Sequence, residues 1–114
     1  MVGETPPLAM FDVRPDPDRQ AVRVAISGEV DMAPAKQLRI ALNEADRSGF
    51  AEIVIDLQGL SFIDSSGLRE LVVAARRARR AGYPFRAVNP SEHIRRLFEL
   101  TALDKTIHMA PADG

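Results

Sequence analysis

A chain of 114 residues is long enough for one domain with one core and leaves little room for a second. It is 46% hydrophobic but only 5% aromatic, so its core is mainly Leu, Ile, Val and Ala. A net charge of -1 argues against bulk nucleic-acid binding, and the lack of cysteine excludes disulfides, thiolate metal sites and thiol nucleophiles.

In chain order, residues 1–7 read as a loose arm. Leu8 to Arg14 reads as a weak strand ended by the turn Pro15-Asp16-Pro17-Asp18. Ala21 to Ser27 is a better strand, because Val22, Val24 and Ile26 alternate with Arg23, Ala25 and Ser27. Gly28-Glu29-Val30-Asp31 closes it. A helix follows with Pro34 in its first turn, where a missing N–H costs nothing. Its buried stripe is Leu38, Ala41, Leu42 and Ala45, and Gly49 is its stop.

Ile53 to Leu57 is a continuous apolar run, the pattern of a central strand covered on both faces. The second helix is expected from about Ser66 to Ala81, about 24 Å at 1.5 Å per residue. Its stripe is Leu68, Leu71, Val72 and Ala75, and Gly82 ends it. Tyr83 to Val88 holds another strand. Ser91 caps a third helix with Ile94, Leu97 and Phe98 inward, and Thr106-Ile107-His108 adds a short last strand. The order ββαβαβα(β) predicts an α/β domain over residues 8–108: a mixed sheet of four to five strands with helices packed against it. Residues 109–114 read as a loose tail.

No segment has the roughly 18 consecutive apolar residues of a membrane span, and Met1 to Pro7 lacks the regions of a signal peptide. The expectation is a cytoplasmic domain without membrane contact.

The richest stretch is Leu60-Ser61-Phe62-Ile63-Asp64-Ser65-Ser66-Gly67-Leu68, between the apolar strand and the second helix. Asp64 or Ser65 as N-cap would satisfy orphan N–H groups, contributing about 1 kcal/mol. One cap needs one oxygen, yet three consecutive residues offer one. Hydroxyls at a helix N-terminus also sit where negative charge is favoured, a good place to carry a phosphoryl group. Phe62, Ile63 and Leu68 are expected to anchor the loop, and Gly67 to let another protein's backbone approach.

Other chemistries fit less well. There is no Gly-x-Ser-x-Gly elbow, and His93 and His108 lie in a helix's first turn and near a chain end, so a hydrolytic triad is not expected. A phospho-acceptor role for Asp56 or Asp64 would need an acidic pair holding a divalent metal. Asp16 and Asp18 alternate with Pro15 and Pro17, and Asp31 stands alone after Glu29, so no metal site is assembled. Asp56 reads as the polar end of a buried strand. The run Arg76-Arg77-Ala78-Arg79-Arg80 falls in the last turns of a helix, where cations complement the dipole and arginine stems cover apolar neighbours. Arg95 and Arg96 read the same way. No Gly-rich phosphate loop is present, so no cofactor is expected.

Three stretches then stand in a recognisable order. These are Gly28-Glu29-Val30-Asp31 after a strand, Leu60 to Leu68, and Asn89 to Leu103 with Ile94-Arg95-Arg96-Leu97-Phe98-Glu99-Leu100-Thr101. Together they resemble the STAS domain of bacterial anti-sigma factor antagonists, over about residues 8 to 108. The resemblance implies a STAS-like fold and a switch rather than an enzyme. Its unphosphorylated form would bind an anti-sigma factor and so release a sigma factor. That partner is a serine kinase of the histidine-kinase-like ATPase type, and a serine phosphatase reverses the modification.

By the same resemblance Ser65 is the phosphorylated residue, with Ser66 a secondary candidate. Asp31, Asp64, Ser65, Ser66, Gly67, Leu68 and Arg69 form the partner-binding set. Two residues depart from the family pattern. Arg69 stands where Gly is frequent, and contributes to partner choice or attracts the phosphate. Ala102, in Thr101-Ala102-Leu103, also replaces a frequent Gly. The alternative role on this fold is a STAS subunit of a lipid-transport or signalling-scaffold complex, with no phosphorylation cycle.

Overall fold

The computed structural model describes residues 8–110. The expected arm, 1–7, and the last four residues of the expected tail lie outside the described residues.

Five strands form one sheet in the order β1-β2-β3-β4-β5: β1 Met10–Asp16, β2 Ala21–Val30, β3 Glu52–Ile63, β4 Phe85–Val88 and β5 His108–Met109. β1 and β2 are an antiparallel pair joined by the 3-10 turn Pro17–Arg19, and every later pairing is parallel. The crossovers carry α1 Met32–Asp46, α2 Ser65–Ala81 and α3 Glu92–Leu100. This is the mixed α/β sheet read from the sequence, with the fifth strand present.

The alternation in β2 sends Val22, Val24, Ile26 and Val30 into the main core. There they meet Ile53, Ile55, Leu57, Leu60 and Ile63 of β3, Leu38 and Leu42 of α1, Leu71 and Ala78 of α2, and Ile94 and Phe98 of α3. All three helices therefore contribute to a single core.

Ile53 to Leu57 is buried on both faces as expected except at half-buried Asp56, but the second face carries charged residues. In register across the opposite face stand Arg23, Val54 and Arg86, then Ala25, Asp56 and Val88. Val54 joins only a small separate cluster with Ala21, Val88 and Ala110. Charge pairs cross this face: Arg23 Nη1 donates to Asp56 Oδ2 at 3.0 Å, and Arg86 Nε to Glu52 Oε2 at 2.7 Å. Asp56 also accepts from the Gln58 N–H at 3.0 Å and from Asn89 Nδ2 at 3.3 Å, so it joins β2, β3 and the end of β4.

Several boundaries move. β2 does not close at Gly28. It continues to Val30, with register shifts between Ala25 and Ser27 and between Gly28 and Glu29, and Gly28 takes φ +82. α1 ends at Asp46, before Gly49. α2 ends as expected, on Gly82 at φ +85, whose N–H donates to Ala78 O at 2.8 Å. Its buried residues include Ala74 and Ala78, whereas Val72 is half-buried. β4 starts at Phe85 rather than Tyr83. β5 is shifted to His108–Met109, and the Ala110 N–H donates to Ala87 O at 2.9 Å. Residues 109 and 110 are thus part of the sheet edge, not of a loose tail.

The arginine run is also corrected at one position. Arg76, Arg79 and Arg80 are exposed, but Arg77 is half-buried and clamps α2 to α1. It donates to Asn43 Oδ1 at 2.8 Å and to Leu42 O at 3.3 Å, and its Nε lies 3.5 Å from Asp46 Oδ2. The Tyr83 hydroxyl donates to the same Asp46 carboxylate. Burial first, then this bond, pushes the Tyr83 phenol up to about 12.

Candidate functional site

The junction between β3 and α2 contains no loop. Leu60, Phe62 and Ile63 pair with Gly28, Glu29 and Val30, and the Asp64 N–H donates to Val30 O at 3.0 Å. Ser61 is the extra residue in this pairing, and its hydroxyl donates to Gly28 O at 3.1 Å. The expected loop is therefore strand up to Ile63, then Asp64 as N-cap, then helix from Ser65. Gly59 permits this, because a Cβ there would stand 2.7 Å from Ser27 Cβ.

The cap belongs to Asp64. Its Oδ1 accepts from the Ser66 N–H at 2.9 Å and the Gly67 N–H at 3.3 Å, satisfying two orphan donors of α2. Ser65 is thereby released from capping. It is the first residue of α2, is exposed, and its hydroxyl has no hydrogen-bond partner among the described residues. Ser66 is half-buried and faces a groove of about 650 Å³ between α1 and α2, lined also by Met32, Lys36, Arg39 and Arg69.

A second hollow, about 420 Å³, has Ser65, Arg69, Val72 and Arg76 of α2 on one side and Thr101 and Leu103 on the other. Arg69 borders both spaces. It is exposed and makes no ion pair or side-chain hydrogen bond among the described residues.

Asp31 is the N-cap of α1 and stands at the end of β2, beside the end of β3. Its side chain caps nothing and is exposed. α1 and α2 therefore start from adjacent strand ends, so Asp31 and Ser65 stand at the same end of the sheet. Farther along, Arg39 Nε and Nη2 donate to Glu70 Oε2 at 3.1 and 2.9 Å and hold the helices together. The Glu70 hydrogen bond and charge raise the Arg39 pKa above its ordinary value.

Two expected site residues have other duties. Gly67 does not open the surface to another backbone: it is buried, and a Cβ there would meet Ile63 Cγ1 at 2.6 Å and Val30 Cγ1 at 2.9 Å. The close approach is between α2 and its own sheet. Leu68 is also buried and forms a wall of the hollow beneath Ser65. Phe62, expected as an anchor, is 43% exposed. Sequence reasoning missed it, together with exposed Met32 and Val73, as apolar parts of this surface. No signal in the sequence gave this, because the outward direction of Phe62 follows from the register of β3 on β2, with Ser61 as the extra residue.

Among the described residues no group of three or more His, Asp or Glu side chains is placed to hold a metal ion, and no helix is long and apolar enough to cross a membrane.

Comparison with known proteins gives this geometry a context. The sequence profile of the family described as "Mlab, STAS domain" matches residues 13–111. The anti-sigma-B factor antagonist of Bacillus subtilis is 33% identical over 89 residues, covering 78% of this chain and 81% of its own length. An anti-sigma factor antagonist from Mycobacterium paratuberculosis superposes with a TM-score of 0.80 at 28% identity, covering 92% of this chain and 87% of its own. The Bacillus cell fate determinant SpoIIAA, solved in its phosphorylated form, superposes with a TM-score of 0.70 at 25% identity over 91% of this chain and 92% of its own. The chain belongs to the STAS-domain family of bacterial anti-sigma factor antagonists.

Proposed function

We propose that this protein is a phosphorylation-controlled anti-sigma factor antagonist, a binding switch rather than an enzyme. In its unphosphorylated state it binds an anti-sigma factor that is also a serine kinase of the histidine-kinase-like ATPase type, and a sigma factor is released. Phosphorylation of Ser65 ends that binding, and a serine phosphatase restores it.

The observation that carries this reading is the division of labour at the start of α2. Asp64 caps the helix, so the Ser65 hydroxyl stands exposed without a partner among the described residues. Ser65 is favoured over Ser66 because Ser66 is half-buried against the groove. Asp31, Asp64, Ser66 and Arg69, with the exposed apolar side chains of Met32, Phe62 and Val73, supply the docking surface around it. One relative on this fold has been solved in its phosphorylated form.

The physics accounts for an on/off response without unfolding. A phosphoserine carries about -1.5 to -2 charges and is well tolerated at a helix N-terminus. A partner docked over Ser65 would instead have to bury that charge, which is costly without paired cations. Since about 1.4 kcal/mol is a tenfold change in affinity, a penalty of a few such steps separates bound from free.

The test is intact-mass analysis with site mapping after incubation with the kinase-type anti-sigma factor and Mg-ATP. One acid-stable phosphate at Ser65, with loss of the complex, is the expected result. Ser65→Ala should bind and resist labelling, and Ser65→Asp should bind weakly. Full labelling of Ser65→Ala would move the acceptor to another residue. Tight binding with no phosphate added would move the protein to the transport-subunit or scaffold role.

A further inference from the structure

Arg69 is an exposed cation with no partner among the described residues, four positions after Ser65 and along the same wall of the hollow. Residues four apart on a helix are surface neighbours, with Cβ atoms about 5–6 Å apart, and an anion N-terminal to a cation is the better orientation. The charged residues lining the hollow with Ser65 are Arg69 and Arg76, while Thr101 and Leu103 across it carry no charge. Asp64, the residue before Ser65, is already engaged by two backbone N–H groups.

Building on the assignment of Ser65 as acceptor, we propose that the phosphate on Ser65 is held within the protein by Arg69, in a one-turn phosphoserine–arginine pair along α2. Guanidinium and phosphate oxygens match as paired charge-assisted hydrogen bonds. Modification then acts on the docking surface twice. It adds an anion at Ser65, and it withdraws from the partner the cation that borders both the hollow and the α1–α2 groove. Arg69 here is a positioning residue for the phosphate and takes no part in its transfer.

The test installs phosphoserine at position 65 during translation, so that it does not depend on any kinase, and follows the phosphate's second ionisation by phosphorus NMR. Pairing favours the dianion, so this ionisation should fall below that of a free phosphoserine peptide. Arg69→Gln should raise it by roughly 0.5 to 1 unit. Arg80→Gln removes the same charge at about 22 Å from Ser65 along the helix, beyond a Debye length, and should leave it unchanged. Equal values in the parent and Arg69→Gln proteins, or equal shifts in both variants, would overturn the pair. The acceptor assignment is judged separately by site mapping of the kinase product, so either idea can fail while the other stands.

Discussion

Gly67 and Ile63 meet where α2 leaves the sheet, so close that a Cβ on Gly67 would lie 2.6 Å from Ile63 Cγ1. The contact sets how near the first turn of α2 sits to β3, and with it the presentation of Ser65. Gly67→Ala should therefore destabilise the fold despite alanine's better helix propensity. Overpacking costs about 1–3 kcal/mol, against a propensity gain of at most about 1 kcal/mol. Urea unfolding should show a lower midpoint at unchanged slope. An unchanged midpoint would mean that the junction can give way freely.

The two roles open to Asp64, cap and charge, separate by substitution. Asp64→Ala loses the bonds from Ser66 and Gly67 and should cost about 1 kcal/mol. Asp64→Asn keeps a capping oxygen and should stay within about 0.5 kcal/mol of the parent. Any loss of partner affinity in Asp64→Asn then reports charge at the docking surface. Equal stability losses in both variants would show that the cap geometry depends on the carboxylate itself.

Tyr83 makes stability sensitive to alkaline pH. Its phenol is pushed up to about 12, by burial first and by its bond to Asp46 second, against an ordinary value of 10.0. The folded state thus keeps a proton that the unfolded state gives up. The contribution is fully present below pH 10.0 and is lost as pH rises toward 12. Tyr83 is the single tyrosine of a chain without tryptophan, so phenolate absorbance reports it alone. The expected midpoint is well above that of the urea-unfolded chain. Tyr83→Phe should remove its share of the stability slope in that window.

Ala102 takes φ +60 just after the last turn of α3. This is the left-handed position that commonly closes helices and favours glycine. Ala102→Gly should raise stability by about 0.5–1 kcal/mol, relief of the strained backbone outweighing the added freedom of the unfolded chain. A fall in thermal midpoint would show that the methyl group stabilises more than the backbone strain costs.

Much of the fold is legible along the chain because its causes are local. The alternation of Val22, Val24 and Ile26, the apolar run at Ile53, the αL stop at Gly82 and the Ser91 cap, which accepts from the Ile94 N–H at 3.1 Å, all depend on neighbours within a turn or two. The acid–serine–serine–glycine stretch marked the candidate site, and its identity as a helix start was readable from the capping residues.

What the linear pattern did not reveal were the consequences of register. Pairing of β3 with the far end of β2, with Ser61 as its extra residue, turned an expected loop into strand. It sent Phe62 outward and Ile63 inward. A bulge is decided by which residue lies opposite on another strand, and no periodicity within one segment encodes that. The inward direction of Gly67, the clamp made by Arg77 with Asn43 and Asp46, and the addition of Met109 to the sheet are likewise contacts between segments distant in sequence. By itself the sequence determined the order of the elements, most of the residues that make the core and the place of the serine motif, because helix caps and apolar periods are short-range. The tertiary structure alone decided, among the described residues, which serine is free, which glycine is spoken for and that Arg69 is unpaired, because each depends on how β3 and α2 dock on the rest of the chain.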